Sequence, residues 1–463
     1  MSKQVSPFEE MFTAQNIAII GASNNPTKLG FALVKNLLEQ EKNVFPINPN
    51  IKEVLKIKAY PSVTAVPEPI TLAVIIIAPQ QILNAIKECG SKGIKYVLIV
   101  SEGFRETGAE GALLQEQLKD LLVQYSIRAL GPNTMGIYDT STPLFLSFID
   151  MRLLKPGSVS ISSQTGILAG ALLQYINLTK HIGVNKVIDL GNKIDLDHVD
   201  VLDYLRDDEK TAVIGMHMEG IADGQKLAKA LRETTSKKPV IILKGGVMEE
   251  TKRVVASHTG SIAGDARIFD SLIKNTGAVR VYDFEEFIDV IKGFAYMPPP
   301  QGNRIAVITG SGGAGVITID SLLRSGLTLA KLSPDTIEAL YKYIPEPGKI
   351  LNPIDVWPSA IQQGLNIVYG QTISLLDADS NVDAIIALLF KVEDFKYDPK
   401  AVIKAAKDCT KPIFFAIQGH ATTQMRDEFE NNGLPTYSFG ERIARVLGHM
   451  WNYKKFQLSF KSF

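Results

Sequence analysis

Three segments of the chain repeat one pattern, in which an apolar strand is followed by a loop of small residues and then by an amphipathic helix. They read NIAIIGASNNPTKLGFALVKNLLE from Asn16, GSVSISSQTGILAGALLQYI from Gly157 and NRIAVITGSGGAGVITIDSLL from Asn303. Short apolar strands and helical stretches alternate between these segments. Such alternation predicts parallel sheets covered by helices. Each loop would then present backbone N–H groups at the carboxyl edge of a sheet, where anions bind.

The length of 463 residues exceeds what one hydrophobic core organises. The stretch YMPPPQGN, at 296–303, is the clearest linker because its prolines cannot continue a helix. A second boundary is expected near GPNTMGIYDTSTPLF, at 131–145. We therefore predict an α/β chain of three Rossmann-like or flavodoxin-like open parallel-sheet domains in tandem. The predicted domains span 1–140, 141–297 and 303–463.

The composition excludes several classes of protein. Apolar residues make up 45% and charged residues 21%, as in ordinary globular proteins, and the formal net charge of zero gives no basic field for nucleic acid or anionic membranes. Cys89 and Cys409 are far apart, which suits a reducing compartment and excludes a disulfide scaffold. The first residues lack the apolar run of a signal peptide, and no apolar stretch is long enough for a membrane span. We expect a soluble cytoplasmic protein.

The first small-residue loop, at 21–30, follows a strand and opens a helix as dinucleotide sites do, although it is not GxGxxG. The second strand ends in Asn48 and Pro49, where NAD sites usually place an acidic residue that binds the ribose hydroxyls. A neutral strand end removes that acceptor and also the repulsion toward a phosphorylated ribose, such as that of coenzyme A. The loop therefore favours a CoA-type or other phosphorylated ligand over NAD, and a Rossmann-like domain without a ligand is the alternative.

Further small-residue turns end the later strands of the same region. In an open α/β sheet these carboxyl edges line one crevice, although a rigid structural turn is an alternative for each glycine–proline pair. The candidate ligand-binding residues are Gly21, Ala22, Ser23, Lys28, Asn48, Pro49, Ala78, Pro79, Ser101, Glu102, Gly103 and Asn133.

His258 lies in VVASHTGSIAGD, at 254–265, among small, hydroxyl and glycine residues rather than core aliphatics. A neutral imidazole is nucleophilic near neutral pH, and an acidic partner would fix its tautomer. Glu219 and Lys244 end two successive predicted strands, at the edge where a site should lie. The SSQTG loop, at 162–166, could face them with its backbone donors. A helix cap with a nearby polar side chain is the alternative reading of His258.

Other candidate chemistries are weaker. The chain has no GxxxxGK[ST], GxSxG, HExxH or paired CxxC motif. Four acidic residues could suggest a metal site: Asp195, Asp197, Asp200 and Asp203. Their spacing is not that of an EF-hand loop, and they are better explained as the start and flank of a predicted helix. The other histidines lack a comparable context and are assigned structural roles: His181, His198, His217, His420 and His449.

Taken together, the motifs resemble those of the nucleoside-diphosphate-forming acyl-CoA synthetases, relatives of succinyl-CoA synthetase. GASNNPTKLG, INPN, SEGF and GPNTMGI resemble the CoA-binding domain. SSQTGILAG, GNKIDLDHVD, HMEGIADG, LKGG and SHTGSIAG resemble the succinyl-CoA-synthetase-like domain, and ITGSGGAGV with NPIDV resembles a third domain. The order and spacing of these motifs extend over nearly the whole chain. The layout is similar to that of the α subunits of ADP-forming acetyl-CoA synthetases.

The resemblance implies an acid–thiol ligase that interconverts acyl-CoA, ADP and phosphate with acid, ATP and CoA. An acyl phosphate and a phosphohistidine on His258 would be intermediates, with Glu219 holding the imidazole. The resemblance also implies that a loop carries the phosphoryl group to the nucleotide. Phosphate would be bound at Ser163, Gln164, Thr165, Gly166 and Gly260.

The resemblance further implies a separate ATP-grasp β subunit that binds ADP or ATP with Mg²⁺, in an α2β2 assembly, because the remaining chain has no room for that module. Thr134 stands where the family often has cysteine, a difference that concerns the acyl pocket. Two alternatives stay open: a CoA-binding regulatory or scaffold protein without turnover, and an NAD-dependent dehydrogenase.

Overall fold

The computed structural model describes residues 5–142, 144–248, 250–251, 266–345, 350–391 and 398–460. The chain divides into two compact units, Met1–Tyr282 and Asp283–Phe463. Both are built from mainly parallel sheets with helices, so the predicted α/β fold class is confirmed. Across these ranges, no helix has the length and apolar character needed to cross a bilayer.

The first sheet of the N-terminal unit has five parallel strands in the order β2-β1-β5-β6-β7. The strands of this region are β1 (Asn16–Ile20), β2 (Asn43–Ile47), the small antiparallel pair β3 (Glu53–Val54) and β4 (Ile57–Lys58), β5 (Leu72–Ile75), β6 (Tyr96–Ile99) and β7 (Arg128–Leu130). The helices are α1 (Pro7–Thr13), α2 (Leu29–Leu38), α3 (Pro79–Lys92) and α4 (Ala109–Tyr125), with 3-10 turns at Val63–Ala65 and Arg105–Thr107. The strands are buried apolar runs, as helices on both faces of a parallel sheet require.

The second sheet has seven strands in the order β14-β13-β12-β10-β11-β8-β9. Its strands are β8 (Ile137–Asp139), β9 (Leu144–Leu146), β10 (Pro156–Ser163), β11 (Val184–Asp189), β12 (Val213–Met218), β13 (Val240–Lys244) and β14 (Val279–Val281). The helices are α5 (Gly166–Ala169), α6 (Ala171–Thr179), α7 (His198–Asp207), α8 (Gly224–Thr235) and α9 (Ala266–Thr276). Strands β8 and β9 run antiparallel, which the sequence analysis did not anticipate for the 131–145 stretch.

Both sheets place their first parallel strand next to the third, so that the strand order reverses between β1 and β5 and again between β10 and β12. Such switch points open a crevice beyond the carboxyl ends of the strands. The loops after β1 and β10 are the first two small-residue loops of the sequence pattern. Topology therefore puts both loops at ligand-binding positions.

The two sheets of the N-terminal unit share one apolar core. Ile17 and Ile19 of β1 belong to the same buried cluster as Ile188 of β11 and Met216 of β12. Polar contacts join the sheets as well: the Arg128 guanidinium donates to Asp195 at 2.8 Å and to Asp200 at 3.1 Å. These contacts make Met1–Tyr282 one compact unit.

The C-terminal unit contains a six-stranded sheet in the order β16-β15-β18-β19-β20, with β17 also paired to β15. Its strands are β15 (Arg304–Thr309), β16 (Thr328–Leu329), β17 (Ile354–Asp355), β18 (Ala384–Lys391), β19 (Ile413–Gly419) and β20 (Thr436–Tyr437). Its helices are α10 (Phe284–Tyr296), α11 (Gly312–Arg324), α12 (Pro334–Leu340), α13 (Trp357–Gln363), α14 (Leu365–Ala378), α15 (Lys400–Asp408), α16 (Thr423–Asn431) and α17 (Gly440–Phe460). Helix α10 belongs to this unit, and the predicted three-domain division stays a prediction.

Buried charges hold α10 to the rest of the C-terminal unit. Asp289 of α10 accepts two hydrogen bonds from the Arg442 guanidinium, at 2.6 and 2.7 Å. One turn further along α10, Lys292 pairs with Glu430, and both side chains are 5% exposed. Each partner compensates a charge that burial would otherwise make costly.

Candidate active site

A cleft of about 1180 Å³ lies within the N-terminal unit, where the carboxyl edges of its two sheets meet. Its lining from the first sheet is Gly21, Ala22, Ser23, Thr27, Lys28, Leu29, Gly30, Asn48, Ile76, Ile77, Ala78, Pro79, Val100, Ser101, Glu102, Glu106, Asn133, Thr134 and Met135. From the following segment it is lined by Phe148, Gln164, Thr165, Gly166, Ile167, Asp189, Gly191 and Asn192. The cleft thus joins the first small-residue loop to the second.

The loop after β1 can pass close to β5 only because its residues are small. Gly21 has a φ of +99°, and a Cβ there would lie 2.1 Å from the Ile76 carbonyl oxygen. A Cβ on Gly30 would lie 2.2 Å from the Gly21 carbonyl oxygen, so the start of α2 packs against the loop. Asn48 donates from Nδ2 to the Ala22 carbonyl oxygen at 2.8 Å. The neutral residue that follows β2 therefore holds the loop in place through this hydrogen bond.

Most of the ligand-binding residues expected in the first sheet line the cleft. Those that do so are Gly21, Ala22, Ser23, Lys28, Asn48, Ala78, Pro79, Ser101, Glu102 and Asn133. Pro49 is exposed and does not line it. Gly103 does not line it either, but its N–H donates at 2.7 Å to Oε1 of the cleft residue Glu106. A role for Pro49 and Gly103 in binding the ligand stays a prediction.

At the second switch point, the side chain of Gln164 connects two strands of the sheet. Its Oε1 accepts hydrogen bonds from the backbone N–H groups of Glu219 at 2.7 Å and Gly220 at 3.3 Å. The same oxygen lies 3.0 Å from His198 Nε2. His198, the first residue of α7, was assigned a structural role from the sequence. Its place at the start of the helix that follows β11 is the signal that could have linked it to this edge of the sheet.

Two lysines lie behind this network and contact the same peptide turn. Lys193 Nζ donates to the Gly220 carbonyl oxygen at 2.6 Å, and Lys244 Nζ donates to the Glu219 carbonyl oxygen at 2.6 Å. Burial lowers the pKa of each lysine to about 8. Both lysines therefore bring positive charge next to the Glu219–Gly220 turn.

Glu219 lies where the sequence predicted it, immediately after β12. Its side chain is buried, and its Oε2 has no hydrogen-bond partner within the described ranges. Its expected partner His258 lies outside the described residues, as does Gly260. The contact of His258 with Glu219 and the binding of phosphate at Gly260 therefore stay predictions.

The expected phosphate loop differs in one respect from its prediction. Ser163 is fully buried, and the Thr165 N–H donates to Ser163 Oγ at 2.9 Å. This N–H is thus engaged inside its own turn. Gln164, Thr165 and Gly166 line the cleft, and the loop leads into the four-residue helix α5.

Asp189 is a cleft residue that sequence reasoning missed. It ends β11 and is 2% exposed, and burial raises its pKa to about 7. Its Oδ2 accepts from the Met135 N–H at 2.7 Å, whereas Oδ1 has no partner in the described part of the chain. The Thr134 hydroxyl donates to the Asp189 carbonyl oxygen. An acidic residue at a strand end was the available signal.

The acidic run from Asp195 to Asp203 forms a helix start, as expected. Asp197 caps α7 by accepting from the Val199 N–H at 2.7 Å, and Asp200 completes a capping box. Asp195 pairs with Arg128, as described above. Within the described ranges, no group of three or more acidic, histidine or cysteine side chains could hold a metal ion.

Comparisons with known proteins match nearly the whole length of the chain. Family models assign a CoA binding domain to residues 15–140, a succinyl-CoA ligase like flavodoxin domain to 156–294 and a Ligase-CoA domain to 305–454. The cleft described above is lined by the first two of these regions.

Named relatives are similar over almost all of the chain. The acetate–CoA ligase (ADP-forming) II subunit alpha of Pyrococcus furiosus is 37% identical, over 94% of this chain and 95% of its own length. The acetate–CoA ligase (ADP-forming) II of Archaeoglobus fulgidus is 34% identical, over 97% of this chain and 68% of its own length. A solved structure, the dinucleotide forming acetyl-coenzyme A synthetase 1 of Ca. Korarchaeum cryptofilum with phosphate and ADP, matches with a TM-score of 0.89 at 31% identity, covering 98% of both chains.

Proposed function

The chain belongs to the family of ADP-forming acetate–CoA ligases, and we propose that it is the α subunit of an enzyme that interconverts acyl-CoA, ADP and phosphate with free acid, ATP and CoA. The observation that carries this proposal is the single cleft that joins the glycine loop after β1 to the Gln164 network after β10. The first end suits the pyrophosphate and pantetheine of CoA. The second end carries the loop of Gln164, Thr165 and Gly166, which suits phosphate.

In the first step, an oxygen of phosphate attacks the thioester carbonyl carbon. The C–S bond breaks, CoA leaves as a thiolate that takes up a proton, and acyl phosphate remains in the cleft. Lys193 and Lys244 bring positive charge next to the turn that holds Gln164, and this charge would favour a phosphate dianion at the loop because opposite charges attract. The loop residues Gln164, Thr165 and Gly166 border the same space.

In the second step, a ring nitrogen of His258 attacks phosphorus, the bond from phosphorus to the acyl oxygen breaks, and the carboxylate leaves. The phosphoryl group then passes from phosphohistidine to ADP. Among the described residues the buried Oε2 of Glu219 has no hydrogen-bond partner, and such an acceptor would fix the reactive tautomer of an imidazole. Gly260 would add a backbone donor beside the phosphohistidine.

We place the nucleotide on a separate ATP-grasp β subunit in an α2β2 cytoplasmic enzyme. The relative from Pyrococcus furiosus supports a separate subunit, because it is named a subunit alpha and this chain spans 95% of it. Mg²⁺ bound with ADP on that partner would neutralise phosphate charge. The residues of this chain deliver the phosphoryl group to it.

Incubation with acetyl-CoA and radiolabelled phosphate tests the histidine. We expect an acid-labile label on the wild-type chain and none on His258→Asn. His420→Asn is the matched control, since His420 is exposed in the other unit, and it should label like the wild type. Labelling of His258→Asn at the wild-type level contradicts the phosphohistidine.

Glu219→Gln tests the orienting acid. The variant keeps the backbone N–H that binds Gln164. It replaces one carboxylate oxygen of Glu219 by an amide NH2 group, which donates hydrogen bonds instead of accepting them. Phosphoryl transfer should slow, while the dissociation constant of CoA stays close to that of the wild type. A loss of CoA affinity as large as the loss of phosphoryl-transfer rate would refute the role of Glu219 as the orienting acid.

A further inference from the structure

The side-chain amide of Gln164 has only one orientation compatible with its surroundings. Oε1 faces two backbone N–H groups, at 2.7 and 3.3 Å, which can only donate. A flipped amide would point its own N–H groups at these donors and lose both hydrogen bonds. Nε2 is therefore fixed on the opposite side.

Gln164 Nε2 has no hydrogen-bond partner among the described residues, although the side chain is only 3% exposed and lines the cleft. A buried donor without a partner is destabilising, because its hydrogen bond to water is lost and not replaced. An acceptor supplied by a ligand in the cleft would remove this cost. The site thus contains a donor that is oriented before the ligand arrives.

His198 adds a third donor to Gln164 Oε1. The ring is 3% exposed, and its pKa lies well below the ordinary value because of burial and the nearby charge of Lys193. A neutral imidazole has a single N–H, and the acceptor at 3.0 Å puts it on Nε2. Nδ1 is then the bare nitrogen, which agrees with its having no partner in the described ranges.

Lys244 strengthens the same arrangement. Its Nζ donates to the Glu219 carbonyl oxygen, which shares one peptide group with the Gly220 N–H that donates to Gln164 Oε1. Because chains of hydrogen bonds polarise one another, positive charge at this carbonyl makes the Gly220 N–H a better donor. Lys193 donates to the Gly220 carbonyl oxygen, which belongs to the next peptide group, and it adds positive charge nearby without joining this chain of contacts.

We propose that Gln164 binds the attacking phosphate through its side-chain Nε2, and that His198 is a positioning residue that keeps this amide in the donating orientation. The proposal deepens the proposed function and rests on it, since it takes phosphate as the ligand at this end of the cleft. Neither the family motif nor the sequence pattern links these two residues, which lie 34 positions apart.

Gln164→Glu is the direct test, because a carboxylate of the same shape keeps the acceptor for the two N–H groups but turns an acceptor toward the cleft. With the full chain and its partner subunit, we expect KM for phosphate in acetyl-CoA cleavage to rise about 10- to 100-fold, as loss of a hydrogen bond to a charged group predicts. The CoA dissociation constant should change less than about twofold. Gln174→Glu, on α6, is the matched control and should leave both values unchanged.

Two substitutions of His198 separate positioning from packing. His198→Gln retains a donor near the position of Nε2 and should keep KM for phosphate within about threefold of wild type, whereas His198→Leu lacks the donor and should raise it about tenfold. Equal values for the two variants would overturn the positioning role. Thermal unfolding of each variant verifies that the fold is intact.

The outcomes distinguish this inference from the function on which it rests. A wild-type complex that shows no phosphate-dependent thioester cleavage overturns the proposed function and the inference with it. An active wild type whose Gln164→Glu variant retains its KM for phosphate, or loses CoA affinity in proportion, overturns the inference alone.

Discussion

Replacing Asp189 with asparagine should stabilise the N-terminal unit at alkaline pH and have little effect in acid. The carboxyl group is 2% exposed, and burial raises its pKa from 3.8 to about 7. Above pH 3.8 the unfolded chain releases this proton more readily than the folded chain does. The folded chain must then either keep the Asp189 carboxyl protonated or bury its carboxylate charge, and either costs free energy.

The size of the effect follows from the two pKa values. A pKa raised from 3.8 to about 7 corresponds to roughly 4 kcal/mol of lost stability once both states have titrated. The cost is absent below pH 3.8, grows as the pH rises toward 7, and levels off above it. Asparagine has no proton to lose, yet it retains an oxygen that can accept from the Met135 N–H. The difference in unfolding free energy between Asp189→Asn and the wild type should therefore grow as the pH rises from 3.8 to about 7.

Denaturant unfolding of the full chain between pH 4 and 8 measures this difference. Asp189→Asn should gain up to about 4 kcal/mol at pH 8 and almost nothing at pH 4. Asp223→Asn is a control of opposite sign, because hydrogen bonds at the start of α8 lower the pKa of that exposed carboxyl. The Asp223 carboxylate stabilises the folded chain at neutral pH, and this stabilisation is lost as the pH falls and the carboxylate is protonated. A gain for Asp189→Asn that does not depend on pH, or no gain at pH 8, refutes the burial argument.

Three further substitutions probe other parts of the molecule. Gly21→Val should weaken CoA binding at least about tenfold by calorimetry, since its Cβ would lie 2.1 Å from a backbone oxygen; unchanged affinity would contradict the loop geometry. Asp197→Ala should cost about 1 kcal/mol of unfolding free energy through loss of the α7 cap, and no loss would show that the cap contributes nothing. Lys292→Met leaves Glu430 buried without its cation and should destabilise the C-terminal unit by about 3–5 kcal/mol, with partial recovery when Glu430→Gln is added.

The sequence pattern predicted the fold class and much of the first side of the cleft. Strand–loop–helix segments are local signals, and the switch-point rule converts them into positions at a sheet edge. Gly21 and Ser101 were predicted in this way, and both line the cleft. Asn48 was read as a neutral strand end, and the structure adds that its amide fastens the neighbouring loop.

The second side of the cleft depends on contacts that no local pattern reveals. Gln164 meets His198 and the Glu219–Gly220 turn only after three separate segments have joined one sheet. The perturbed pKa of Asp189 likewise arises from burial in the assembled unit rather than from its sequence neighbours. The antiparallel strands β8 and β9 were not predicted because they are short and lie in a stretch rich in turn-forming residues.

Phosphate-dependent cleavage of the thioester tests the central claim most directly. The full chain, reconstituted with its partner subunit, is incubated with acetyl-CoA with or without phosphate, and hydroxylamine traps any acetyl phosphate. We predict that CoA is released only when phosphate is present and that trapped acetyl hydroxamate accompanies it. Release of CoA at the same rate without phosphate, or release without any trapped acyl phosphate, would contradict the account.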